Sequence, residues 1–151
     1  MSNILMRDII KSKFRDNSLP TIAYGDYGGV YDESIDYIDA VGVGDDRNIY
    51  MASCYGKLES MEQNDSVILC SVSGLCSIKE LVDALKFLST LGEGAEKTAK
   101  VYVKNYKGYV LPVEEIIDDR DADRVVFVTQ DQIVDSYVWG TGGDINVYGG
   151  N

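Results

Sequence analysis

The sequence contains no histidine, and this absence removes most of the common catalytic arrangements. Without an imidazole there is no Ser-His-Asp or Cys-His pair, no histidine general base and no histidine metal ligand. Carboxylates, lysine or tyrosine remain as candidate catalysts, but no arrangement of them stands out along the chain. We therefore expect a protein that is not an enzyme, that has no catalytic residues and that uses no cofactor.

Cysteine and long apolar segments are also scarce. The three cysteines, Cys54, Cys70 and Cys76, are odd in number and form no C-x-x-C motif, which argues against a disulfide framework or a zinc site. No apolar stretch approaches the ~18 residues that cross a bilayer. The N-terminus lacks the apolar segment of a signal peptide. These absences predict a cytoplasmic protein with reduced thiols and no membrane partner.

A single motif has the spacing of a metal site. The segment 119–123 has the D-x-D-x-D pattern that opens a calcium loop. Arg124 stands where that loop needs glycine, however, and Gln130 stands where it needs a bidentate glutamate. We interpret the segment as a charged hairpin turn and predict no metal site.

The remaining composition is that of a globular chain. The 151 residues, of which 45% are hydrophobic, suit a single compact domain spanning residues 1–151. Apolar residues at helical spacing predict two helices, one beginning near Leu5 and one, after the capping box Ser77-x-x-Glu80, ending near Thr90. Strand-like segments separate and follow them. The predicted fold is α+β, with two helices and a mostly antiparallel sheet.

The order of these segments suggests a degenerate repeat. Residues 3–53 and 77–129 each read as a helix followed by three strands, which would give two α-β-β-β units. Between the two units, Val67–Ser73 reads as a buried strand. At the end of the second unit, Arg124–Thr129 reads as a core strand. Residues 130–151 contain a glycine run, and they fit a terminal β-hairpin, an arm that pairs with another subunit, or a mobile tail. The arm would make the protein a homo-oligomer.

Basic residues are absent from Tyr24 to Asp46, where acids and tyrosines alternate. The whole chain has a formal net charge of −11, which repels nucleic acid and attracts basic partners. We therefore predict no direct nucleic-acid binding and a partner protein with a basic surface. The predicted contact residues combine carboxylates with phenol rings, and they are Tyr27, Tyr31, Asp32, Glu33, Asp36, Tyr37 and Asp39.

A second set of residues supports a different hypothesis. Cations and an aromatic ring near the second predicted strand group could bind a nucleotide, in a pocket that an oligomer would complete. The residues of this alternative ligand site are Lys100, Lys104, Tyr106 and Lys107.

The second unit resembles small uncharacterised proteins from phages and mobile elements. The resemblance rests on Leu81-x-x-x-Leu85, Val101-Tyr102-Val103, Gly108, Ile116 and Val125-Val126-Phe127-Val128. It implies no activity, but it favours a small accessory protein in the cytoplasm of a host cell. Three hypotheses follow: an acidic inhibitor or adaptor that blocks a basic, nucleic-acid-handling surface of a host protein, an oligomeric protein that sequesters nucleotides, and a structural component of a virion or assembly.

Overall fold

The computed structural model describes residues 4–53, 67–91, 94, 96–104 and 110–129. Two helices and eight strands make up this part of the chain. Their bounds, in chain order, are α1 Met6–Lys11, β1 Leu19–Tyr24, β2 Ile35–Gly44, β3 Ile49–Ser53, β4 Ile68–Ser73, α2 Ile78–Thr90, β5 Val101–Lys104, β6 Val110–Pro112, β7 Glu115–Asp119 and β8 Arg124–Thr129.

The eight strands form one mixed sheet. The strand order is β6-β5-β3-β2-β1-β8-β7, and β4 pairs with β2 outside this path. Five of the seven pairings are antiparallel, whereas β1 pairs with β8 and β3 pairs with β5 in parallel. The predicted α+β class, with two helices and a mostly antiparallel sheet, is confirmed.

The sheet curls into a half-barrel whose two ends are joined through neighbouring residues. β6 and β7 stand at opposite ends of the strand order, but only Val113 and Glu114 separate them in the chain. The N–H of Val113 donates to the carbonyl of Val101 in β5 at 3.0 Å, and that of Glu114 donates to Val128 in β8 at 2.8 Å. Two successive amides therefore hold the two ends of the sheet.

The main core lies between one face of this sheet and the two helices. Met6 and Ile9 of α1 are buried in it, as are Leu81, Leu85 and Leu88 of α2. This is the arrangement that an apolar stripe at helical spacing produces. Burying these side chains is the dominant favourable contribution to folding.

The predicted capping box is present at the start of α2, but one of its two hydrogen bonds has a different donor. The Ser77 hydroxyl accepts a hydrogen bond from the Glu80 N–H at 3.2 Å, as the motif requires. The Glu80 carboxylate accepts from the N–H of Cys76 at 2.8 Å, one residue before the cap. The first bond satisfies a backbone donor that the first helical turn leaves free, and the second satisfies the amide just before the cap.

The predicted repeat stays a prediction, but the strand pairing has a reciprocal form. The first strand of the first unit, β1, lies parallel to the last strand of the second, β8. The first strand of the second unit, β5, lies parallel to the last strand of the first, β3. The turns before β3 and β8 also match, because Arg47 and Asp123 are the two non-glycine residues with positive φ in the described part of the chain.

The strand predicted at Val67–Ser73 is present as β4, but it is not buried. Its residues alternate between half-buried and exposed, and Leu69 is 46% exposed. Among the described strands β4 pairs with β2 alone, so it lies at an edge and leaves one side to solvent. β8, in contrast, lies between β1 and β7, and its predicted place in the core is confirmed.

No helix in the described ranges is long and apolar enough to cross a membrane. The predicted C-terminal hairpin or arm, residues 130–151, lies outside the described residues, and so does the hypothesis of a subunit contact through it.

Candidate functional site

The connection between β1 and β2, residues 25–34, contains four of the seven predicted contact residues, and we call it the tyrosine loop. A short 3-10 turn, Gly29–Tyr31, forms its tip. Val30 is 44% exposed and Tyr31 is 91% exposed, so the tip presents an aliphatic and an aromatic side chain to solvent. Exposed aromatic side chains of this kind are enriched where proteins bind one another.

Arg124, the first residue of β8, anchors the tyrosine loop to the sheet. Its Nη1 donates to the phenol oxygen of Tyr27 at 3.0 Å and to the carbonyl of Gly29 at 3.2 Å. A longer contact of 3.5 Å reaches the carbonyl of Asp32. One guanidinium therefore ties both halves of the loop to the same strand.

Tyr27 connects Arg124 to an acid on the neighbouring strand. Its hydroxyl donates to the Asp119 Oδ2 at 2.8 Å while it accepts from Arg124. Asp119 and Arg124 are cross-strand partners of β7 and β8, so the phenol bridges a pair that the sheet register already places side by side. Burial raises the pKa of Tyr27, with Arg124 opposing this shift and Asp119 adding to it.

Asp32 fixes the loop from within. Its Oδ2 accepts from the Gly28 N–H at 2.8 Å, and its Oδ1 accepts from the N–H and the hydroxyl of Ser34 at 2.9 and 2.7 Å. These donors stabilise the charged carboxylate, and the Gly28 N–H is the largest cause of its lowered pKa. Asp32 is thus a structural cap of the loop as well as a negative charge.

The other three predicted contact residues lie on β2, and Glu33 lies just before it in the tyrosine loop. Tyr37 is 47% exposed, and its phenol follows Tyr27 among the causes that raise the pKa of Arg124. Asp36 is half-buried, and its Oδ2 accepts from the Tyr24 hydroxyl at 2.8 Å. Asp39 is half-buried, whereas Glu33 is exposed and makes no hydrogen bond or ion pair in the described part of the chain.

Six of the seven predicted contact residues divide into two groups, and the half-buried Asp39 belongs to neither. Tyr27, Asp32 and Asp36 are engaged in bonds that hold the loop and its flanks together. Tyr31, Glu33 and Tyr37 are exposed. The structure brings both groups into one continuous segment at the end of the β1–β2 pair, where the first group supports the second.

Two of the four residues of the alternative ligand site lie in the described part of the chain. Lys100 is exposed and precedes β5, but Lys104 at the other end of that strand is only 2% exposed. Lys104 also has an interaction partner within the protein. Tyr106 and Lys107 lie outside the described residues.

Sequence analysis did not identify Arg124 as part of the site. The residue appears there only as a defect in the calcium-loop pattern. A signal was nevertheless present, because Arg124 alternates with the core residues Val125 and Phe127 and must point to the opposite face of the sheet. The available clue was a positively charged side chain on that face, together with the segment from Tyr24 to Asp46, which contains no Lys or Arg.

The described ranges contain no group of three or more acids or cysteines that could hold a metal ion. Comparison with known proteins found no match among family models, among curated proteins or among solved structures.

Proposed function

We propose that this protein is a non-catalytic binding protein whose tyrosine loop docks onto a basic surface of another protein. The observation that carries the proposal is the exposure of Tyr31, 91%, at the tip of a loop that Arg124 and Asp32 hold in one conformation. A loop that is already fixed loses little conformational freedom on binding, so more of its contact energy contributes to affinity.

The charge around the tip selects the partner. Asp26 and Glu33 are exposed on the loop beside Tyr31, and the whole chain is strongly acidic, at −11. An arginine of a partner could stack on the Tyr31 ring while a neighbouring cation pairs with Glu33. Acidic side chains at the rim would mainly accelerate association and suppress wrong partners.

Surfaces rich in arginine and lysine are commonly those with which proteins hold nucleic acid. A partner of this class would lose access to its nucleic acid while the tyrosine loop covered the same surface. The protein would then act as an inhibitor or adaptor by competition, without chemistry of its own.

The test is photo-crosslinking from the loop tip. Tyr31 is replaced by p-benzoylphenylalanine, and cross-linked proteins are identified by mass spectrometry from a lysate of the source cell. Phe87, which is 51% exposed on α2, is the matched control position. The proposal expects an adduct from position 31 alone, on a peptide rich in lysine and arginine, and expects Glu33→Lys in the same chain to abolish it.

Identical adducts from positions 31 and 87 would contradict the proposal, because the loop would then have no special role. An adduct that persists unchanged with Glu33→Lys would contradict the charge complementarity.

A further inference from the structure

A groove of about 620 Å³ lies between the two helices and the segment that leads to β5. Its volume falls in the range of small-molecule sites in proteins, which is roughly 300–1,000 Å³. Met6, which is 1% exposed, and the half-buried Ile10 contribute apolar side chains to its lining. The groove is distinct from the tyrosine loop, none of whose residues lines it.

The rim of the groove is basic in an otherwise acidic molecule. Among the described residues, its lining includes one carboxylate, that of Glu96, and four cations, which are Arg7, Lys11, Lys86 and Lys97. The chain as a whole has 25 acidic and 14 basic residues. The local charge of the groove therefore has the opposite sign to that of the protein.

Among the described residues, none of the four cations forms an ion pair. In the part of the chain that the structure describes, ion pairs join Arg15 to Asp123, Lys79 to Asp83 and Arg120 to Asp118, and none involves a rim cation. Like charges gathered around one groove repel each other, and an anion placed among them would relieve that repulsion.

The dimensions of the groove favour a small ligand over a polymer. α1 has six residues and is therefore about 9 Å long. A nucleic acid that entered the groove would continue over acidic surface, where the field of a chain with net charge −11 opposes it. A small anion would remain among the four cations.

We propose that this groove binds a small organic anion with an apolar body, such as a medium-chain carboxylate. The anionic head lies among the rim cations, and the apolar body rests on Met6, Ile10 and the aliphatic stems of the lysines. The site differs from the predicted ligand set at Lys100 and Lys104, because it is built from the helices and not from β5.

The test is isothermal titration calorimetry of the full-length protein with decanoate, below its critical micelle concentration. Decylammonium has the same alkyl chain with the opposite charge and serves as the matched ligand. We expect decanoate to bind and decylammonium not to bind. Combining Arg7→Glu with Lys86→Glu should weaken decanoate binding roughly tenfold or more, since two attractions become repulsions.

Lys13→Glu is the control variant, because Lys13 follows α1 closely but does not line the groove. It should bind decanoate as the natural protein does. The milder pair Arg7→Gln and Lys86→Gln tests the same point if charge reversal disturbs folding, which thermal melting followed by circular dichroism will show. Equal binding of decanoate and decylammonium, no binding of decanoate, or equal loss in the groove variants and in Lys13→Glu would overturn the proposal.

Discussion

The phenol of Tyr27 accepts a hydrogen bond from Arg124 at 3.0 Å and donates one to Asp119 at 2.8 Å. It thereby attaches the tyrosine loop to a cross-strand pair at the end of the β7–β8 hairpin, 92 and 97 residues away in sequence. The acidic segment is therefore supported by a cation of the second half of the chain, and its exposed tip depends on that support.

Replacing Arg124 with glutamine should loosen the loop and destabilise the protein. The change removes charge-assisted bonds to Tyr27 and to the Gly29 carbonyl and leaves these acceptors without their donor. Bonds to charged groups contribute roughly 1.5–3 kcal/mol, so we expect a loss of about 2 kcal/mol in the free energy of unfolding. Urea denaturation measures it.

The control for this prediction is Arg120→Gln on the same hairpin. Arg120 pairs with Asp118 at 3.2 Å, but it is 57% exposed, and exposed pairs contribute only about 0–1 kcal/mol. An Arg124 variant no less stable than the Arg120 variant would show that the loop does not depend on its anchor.

Stability should fall at alkaline pH, in part through Tyr27. Its pKa is raised above the ordinary value of 10.0, chiefly by burial. Above about pH 10 the unfolded chain releases the phenol proton while the folded chain keeps it, so the free energy of unfolding decreases as pH rises. The contribution is fully present below the unfolded pKa and is lost as pH passes through the folded pKa.

Tyr27→Phe should make this alkaline decrease shallower when urea denaturation is repeated between about pH 9 and 11. Tyr31→Phe, which removes an exposed phenol outside the bridge, is the control variant. A Tyr27→Phe chain with the natural pH dependence would mean that the buried phenol does not contribute.

Asp32 and Glu33 are adjacent in the loop, but removing the charge of each should change the free energy of unfolding by different amounts. Asp32→Asn removes the charge that accepts from Gly28 and Ser34, and we expect it to lower the free energy of unfolding by about 1–2 kcal/mol. Glu33→Gln changes an exposed side chain and should stay within about 0.5 kcal/mol of the natural protein. Denaturation of the two variants side by side provides the comparison.

Because the pKa of Asp32 is lowered by its backbone and side-chain donors, its stabilising effect is present above the unfolded pKa and disappears as pH falls through the folded value. The difference between Asp32→Asn and the natural protein should therefore shrink in acid. A difference that stays constant down to about pH 2 would assign the effect to something other than the carboxylate charge.

Gly94→Ala should disturb the wall of the basic groove. A Cβ at this position would lie 1.9 Å from the carbonyl oxygen of Leu88 in α2, so the backbone must move. Forced overpacking costs roughly 1–3 kcal/mol, and the shift should carry Glu96 and Lys97 away from the helices. Gly28→Ala is the control, since its Cβ would meet side-chain atoms only at 3.4 Å or beyond.

Thermal unfolding measures the loss of stability, and decanoate titration measures whether the groove still binds this ligand. A Gly94→Ala protein as stable as the Gly28→Ala protein would show that the close approach to Leu88 is not required.

Sequence alone predicted the elements that local chemistry determines. The helix after Ser77 follows from a capping box and an apolar stripe, and both signals lie within a few turns. The core strand at Arg124–Thr129 follows from its β-branched and aromatic residues. The parallel pairings of β1 with β8 and of β3 with β5 had no local signal, because they join segments more than 50 residues apart.

The sequence indicated the segment that contains the predicted contact residues, but it did not show their different structural roles. Asp32 and Glu33 look alike in the sequence, yet one caps the loop and the other is exposed, since only the backbone path decides which acid reaches an N–H group. Lys104 appeared to be an available cation, but its place in β5 buries it. The basic groove was missed because it joins three separate segments: α1, α2 and residues 96–97.

The central claim, that the tyrosine loop recognises basic surfaces, is tested most directly by titrating an arginine-rich peptide into three proteins: the natural chain and two double variants. The loop variant combines Tyr31→Ala with Glu33→Lys. The helix variant combines Phe87→Ala with Asp83→Lys on α2, and it therefore changes charge and exposed aromatic area in a matched way.

We predict that the loop variant binds the peptide roughly tenfold more weakly than the natural chain, which corresponds to about 1.4 kcal/mol, and that the helix variant binds as the natural chain does. Equal weakening in both variants would show that net charge alone attracts the peptide, and it would contradict the assignment of binding to the tyrosine loop.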